Sequence, residues 1–229
     1  MIFQGLQIAL ESLWANKMRS FLSMLGIVIG VGAVIAIVSV GTGSTRQVTA
    51  RIADLGSNMI TVYPRVVRGA FGRASSINPQ RKFTLELAEH ITEFCPSVKS
   101  VTPVKQVSGS LIADEISVNA AIVGTTGDYT EVNNYELAQG IFITKEDDQE
   151  RRQVAVLGSQ LAIDLFENEN PIGKTMRVNY DGRIFHFTVI GVMKEKGGSM
   201  AGNLDDRVYI PISVAMDRMT TQKYVDSII

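Results

Sequence analysis

Hydrophobic and polar positions divide the chain at one place. From Ser20 to Thr45, 26 residues pass without a charge, and twelve of positions 21–40 are Leu, Ile, Val or Phe. A helix of that length reaches about 39 Å, against a bilayer hydrocarbon core of about 30 Å. A helix of a soluble domain carries one apolar stripe, not an apolar circumference. The twelve side chains contribute about −4 to −7 kcal/mol towards insertion. A cleaved signal fits poorly, because its apolar stretch is about 7–15 residues long and lies nearer the N-terminus. The pattern predicts one transmembrane helix over 20–45.

Residues 1–19 have a helical period of their own. Ile2, Phe3, Leu6, Leu10, Leu13 and Trp14 share one side, and Gln4, Gln7 and Glu11 the other. Two placements fit this amphipathic N-terminal helix: in the membrane interface, or packed on another span. Beyond the span, Val48, Ile52 and Leu55 keep the i, i+4, i+7 spacing, and Gly56 suits a helix end. Residues 46–56 are therefore predicted as a stalk extending the same helix. A helix from Phe21 to Leu55 would be about 52 Å long and project about 20 Å beyond the hydrocarbon. Gly41 and Gly43, each about 1 kcal/mol less favourable than Ala, would mark a bend or a close helix contact.

Residues 57–229 alternate short strand and helix patterns. "NMITVYP" reads as a strand ended by Pro64, followed by an Arg-rich loop. "TLELAEHITEFC" reads as a helix with Thr84 as N-cap and Pro96 past its end. Strands follow at about 98–107 and over "EISVNAAIVG", where Ile116, Val118, Ala120 and Ile122 alternate. "TKEDD" has the form of a helical first turn. "QVAVL", Gly158 and "SQLAIDLF" read as strand, turn and helix, with Ser159 as N-cap. Asp181-Gly182 predicts a two-residue hairpin. "KGGSMAGN" reads as a loop, "RVYIP" as a strand, "SVAMDRM" as a short helix and "YVDSII" as the start of a strand without a visible partner. The chain is expected to be part of a longer one.

Charge narrows the functional classes. The chain has 22 basic and 23 acidic residues, and positions 1–45 hold only Glu11, Lys17 and Arg19. The remainder has 20 basic and 22 acidic residues, net −2, which is no nucleic-acid footprint. One local exception is the absence of any acid between Asp54 and Glu86, where Arg65, Arg68, Arg73, Arg81 and Lys82 occur. That loop is either a solvated segment or a contact for anionic lipid or an acidic partner. Lys17 and Arg19 before the span are matched by Arg46 and Arg51 after it, so basic residues barely orient it. The short leading segment favours a cytoplasmic N-terminus, with residues 46–229 extracytoplasmic. Cys95 is the single cysteine, read as a buried thiol beside Ala88 and Ile91.

Catalytic chemistry is sparse. Gly173-Lys174-Thr175 is the tail of a phosphate loop, but Asn168 stands where its first glycine belongs, and the order is helix then strand. A turn into the hairpin is the better reading. His186, on strand parity with Ile184, Thr188 and Ile190, reads as a half-buried structural histidine. "GGSMAG" misses the nucleophile elbow because Ala201 replaces its last glycine, and no histidine follows. No catalytic residue, cofactor site or metal site is expected.

The combination of segments is more specific than any one motif. "LWANKMRSFLSMLGIVIGVGAVIAIVSVGTG" resembles the first span of the MacB/FtsX-like ABC transporter permeases, in the macrolide- and peptide-export branch. "NNYELAQGIFITKEDD", "QVAVLGSQLAIDLF", "NPIGKTMRV", "FTVIGVMKEKG" and "VYIPISVAMDRM" resemble, in order, pieces of the family's extracytoplasmic core domain. The resemblance implies an α+β fold: one transmembrane helix, then a two-lobed mixed α/β domain over 57–229. It further implies a permease that uses an ABC ATPase partner, pairs with a second permease copy and engages a periplasmic adaptor, exporting drugs or peptides. The chain would not itself be an enzyme. Release of lipoproteins, a single-span receptor and a membrane-anchored hydrolase using Ser199 are the competing readings. Gly26 and Gly30 form a small-xxx-small pair suited to close helix approach.

Overall fold

The computed structural model describes residues 17–54, 59–64, 82–167, 169–199 and 202–229. The chain divides into two units, 1–54 and 55–229. The amphipathic segment predicted over 1–19 lies almost wholly outside the described residues, as do Leu55, Gly56 and the Arg-rich loop.

The described part of the first unit is a single helix, α1, Lys17–Asp54. It runs through Gly41 and Gly43 without a break. The Thr42 hydroxyl donates to Val38 O at 2.9 Å and that of Thr45 to Gly41 O at 3.0 Å. These bonds back onto the preceding turn satisfy the hydroxyls within the helix. Between Met18 and Val40 its large apolar side chains are 42–74% exposed. Surface of that kind is stable against lipid or another helix, not against water.

The second unit is built on a closed ring of strands. In chain order these are β1 Pro103–Ala113, β2 Ile116–Thr125, β3 Leu137–Gly140, β4 Val154–Leu157, β5 Thr175–Tyr180, β6 Arg183–Met193, β9 Arg207–Pro211 and β10 Ser227–Ile228. A two-residue pair, β7 Gly198–Ser199 and β8 Gly202–Asn203, stands apart. Pairing runs β1–β2–β9–β4–β6, and β5 joins β6 back to β1, closing the ring. β2·β9 and β4·β6 are parallel, and the other ring pairs are antiparallel. Closure leaves no edge in the ring, which protects it from strand addition. β10 extends β1 and β3 extends β6.

Alternation sets the inside of the ring. On β6, Phe185, Phe187, Val189 and Met193 are buried. His186 shares the opposite, exposed face with Ile184 and Thr188, so it is solvent-facing and not half-buried as its pattern implied. β2 alternates as far as Ala120 and is then buried from Ile122 to Thr125. There it is covered on both faces. The Asp181-Gly182 turn has φ of 51° and 74°, the positive values a type I′ hairpin needs.

Helices plug and flank the ring. α2, Leu85–Phe94, is capped by Thr84, whose hydroxyl accepts from Leu87 N–H. It ends at Phe94, so Cys95 leaves the helical face and is exposed, contrary to the expected buried thiol. α3 is Tyr129–Val132, and α4, Lys145–Gln149, opens with a Thr144–Asp147 capping box. α5, Ser159–Phe166, contributes Leu161, Leu165 and Phe166 to the ring core. Its cap is Gly158, not the expected Ser159. A Cβ on Gly158 would lie 2.2 Å from Asp205 O, and that carbonyl accepts Leu161 N–H at 3.1 Å. The backbone of a distant loop thus replaces a side-chain cap. α6, Ile212–Val214, continues as a π-turn over Ala215–Met219.

Candidate functional site

The site is a strand junction with a groove beside it. Val62 and Ile228 exchange both backbone bonds, at 2.8 and 3.1 Å. On its other side the same segment meets β1: Thr102 and Ile229 exchange bonds at 3.0 Å each, and Asp226 N–H donates to Val104 O at 2.8 Å. Residues 59–64 are therefore hydrogen-bonded through β10 into β1, which then runs 11 residues into the ring. Neither Val62 nor Ile228 belongs to a long strand, so this short ladder carries the connection.

The groove holds about 560 Å³. Met59, Ile60, Ile91, Val98, Val132 and Ile229 give it an apolar lining. Ile60 is 76% and Val62 46% exposed. At its mouth Lys99 Nζ and a Glu131 carboxylate oxygen are 2.5 Å apart. The pairing raises the affinity of Lys99 for its proton, chiefly through the hydrogen bond to Glu131.

The residues of the catalysis-like motifs do not form one site among the described residues. Gly173 occupies a tight turn at φ 83° and donates to Val189 O at 2.8 Å. Lys174 is ion-paired with Glu169 and sits 5.4 Å from the Phe166 ring. Its charge is engaged in holding the turn against α5. His90 is on the surface with Glu93 and Phe94. Among the described residues no three His, Cys, Asp or Glu side chains converge on a metal-sized space.

A second polar centre has no signature in the local residue pattern. Asp205, 4% exposed, accepts from Tyr135 OH at 2.9 Å, Lys196 N–H at 3.0 Å and Gly197 N–H at 2.7 Å. Around it Tyr129, Tyr135 and Phe142 surround Tyr209, with ring centroids 5.1–6.2 Å from it. Burial raises the phenol pKa of Tyr135 well above the usual range, and the bond to Asp205 adds to this. Burial does the same to Tyr209. These are packing and anchoring roles.

One helix among the described residues, Lys17–Arg46, is long and apolar enough to cross a membrane. In the chain this helix is followed by the ring domain. The chain belongs to the family of MacB-like periplasmic core domains, which it matches over residues 20–229. It is 33% identical over 219 residues, 95% of its length, to the macrolide export ATP-binding/permease protein MacB of Bdellovibrio bacteriovorus. It is 34% identical over 223 residues, again 95% of its length, to the pyoverdine export ATP-binding/permease protein PvdT of Pseudomonas aeruginosa. It spans about a third of the length of these relatives, 33% and 31%. The periplasmic region of MacB from Actinobacillus actinomycetemcomitans superposes with a TM-score of 0.62 at 28% identity, over 77% of this chain and 75% of that one. The extracellular domain of the ABC-type transporter YknZ shares the fold, with a TM-score of 0.55 at 20% identity over 66% of this chain and 73% of that one.

Proposed function

We propose that this chain is the N-terminal part of an ABC exporter permease, transmitting motion from a cytoplasmic ATPase partner to its extracytoplasmic domain. The boundaries that go with this reading are an interfacial segment at 1–19, a span at 20–45, a stalk at 46–56 and the core domain at 57–229. The N-terminus is cytoplasmic and the core domain extracytoplasmic. A second permease copy, a periplasmic adaptor and membrane lipid are its further partners. The cargo is a drug or peptide, in keeping with the macrolide and pyoverdine exporters among its relatives.

The observation that carries this reading is the unbroken helix α1. Its 38 residues amount to about 57 Å, longer than the hydrocarbon core. The chain then enters the junction, where backbone bonds tie residues 59–64 to the ring. A stiff helix within the first unit and a hydrogen-bonded ladder within the second are the two elements that such transmission would use.

The test is Ile52→Pro in the full-length permease. Proline removes one backbone bond and clashes with the preceding turn, costing about 3 kcal/mol locally. ATP hydrolysis should persist while export falls, at unchanged surface abundance. Normal export by a normally abundant variant would show that α1 is not the coupling element.

A further inference from the structure

A second concavity, of about 490 Å³, opens beside the start of α2. Lys82 and Thr84 form one wall, and Thr221, Gln222, Lys223 and Tyr224 the other. The isolated Phe83–Val225 bridge ties the walls together, with Val225 N–H donating to Phe83 O at 2.8 Å. The recess is therefore fixed by backbone bonding. None of its lining residues is acidic.

Two ammonium groups approach the Tyr224 ring: Lys82 Nζ lies 4.3 Å from its centroid and Lys105 Nζ 4.7 Å. Their charges are used differently. Lys105, 3% exposed, donates to Asp226 at 2.9 Å and to Gln222 at 3.0 Å. Asp226, itself part-exposed, also accepts Gln106 N–H at 2.8 Å, so the charge of Lys105 is compensated and its donors are satisfied. Lys82 and Lys223 have no carboxylate partner among the described residues. Lys223 is exposed and Lys82 half-buried. Two uncompensated cations, of which Lys82 lies against an aromatic ring, thus line a recess that also carries the hydroxyls of Thr84 and Thr221.

We propose that this recess docks an acidic segment of a partner polypeptide, its carboxylates placed against Lys82 and Lys223. Aromatic and cationic groups together are what a polar protein interface uses for anchoring and register. An anionic bilayer fits less well. Polybasic lipid contacts use about 4–8 clustered cations on an open face, whereas the recess, among the described residues, offers two uncompensated ones in a cleft. The proposal goes beyond the export reading and requires only that residues 82–84 and 221–224 face solvent.

The test uses the whole 229-residue chain in a neutral detergent, with fluorescein-labelled hexaglutamate followed by anisotropy. Saturable binding is expected, weakened by added salt. The double variant Lys82→Gln, Lys223→Gln should weaken it roughly tenfold, with an unchanged melting temperature, because neither lysine carries an ion pair among the described residues. Lys194→Gln, which breaks a surface pair with Glu136 elsewhere, should bind like the parent. Absent peptide binding, or equal binding by the double variant, would overturn the proposal. A calorimetric titration with soluble dihexanoyl phosphatidylglycerol is the second arm. Binding of that lipid, lost in the double variant, without peptide binding would assign the recess to membrane lipid and also overturn it.

Discussion

The hydroxyl of Tyr135 donates to Asp205 Oδ1 at 2.9 Å, joining two residues 70 positions apart at the edge of the ring. The same carboxylate takes the backbone N–H groups of Lys196 and Gly197. One side chain therefore fixes both the segment leading into β3 and the loop leaving β6. Asp205 also offers its carbonyl as the cap of α5.

Removing that carboxylate should be costly. Asp205→Ala leaves a buried phenol and two N–H groups without an acceptor, each worth about 1 kcal/mol or more. The ring domain should lose roughly 3 kcal/mol, read by urea unfolding of the parent and variant chains. Tyr135→Phe removes only one donor and should cost about 1 kcal/mol. Equal stability of Asp205→Ala and parent would show that the loop is held by other contacts.

Alkaline pH should unfold the domain through its tyrosines. Tyr135, Tyr129 and Tyr209 all have raised pKa values, chiefly from burial. The unfolded chain gives up phenol protons near pH 10 while the folded one keeps them. The stabilisation is complete below about pH 10 and is lost as pH climbs towards the raised folded values. Each such tyrosine adds a slope of about 1.4 kcal/mol per pH unit in that window. Tyrosinate absorbance and circular dichroism should change together for these residues. Full ionisation with unchanged dichroism would contradict the burial argument.

Exposed Cys95 is a native topology reporter. An impermeant maleimide should label it in cells whose outer envelope has been opened, and Cys95→Ser should abolish the signal. Ser12→Cys in that background should stay unlabelled until the inner membrane is lysed. Labelling at position 12 but not at 95 would reverse the proposed orientation.

Nucleotide should not bind the turn at Gly173-Lys174. Isothermal titration with ATP and magnesium should give no saturable heat, and Lys174→Ala should behave like the parent. Saturable binding abolished by Lys174→Ala would revive the phosphate-loop reading. The Lys174–Glu169 pair is the structural reason to expect none.

Several features were legible in the sequence because they depend on neighbours along the chain. An uncharged run of 26 residues is a helix of membrane length whatever surrounds it. Thr84 and Asp181-Gly182 act through bonds and dihedral angles within a few residues, and both behave as their local chemistry requires. Tertiary structure decided the rest. His186 and Cys95 face solvent because of the ring's register and of where α2 stops, and neither is set by local spacing. Ser159 lost its capping role to a carbonyl 46 positions away, brought in by the turn before β9. Closure of β5 onto β1 and the Val62–Ile228 ladder depend on pairings between strands far apart in sequence. Alternation along one strand shows which face is apolar, but it does not choose the strand that will cover it. The polar anchors Asp205 and Lys105 were silent for the same reason. A lone charge in a sequence looks solvated until the fold supplies the buried partners that hold it.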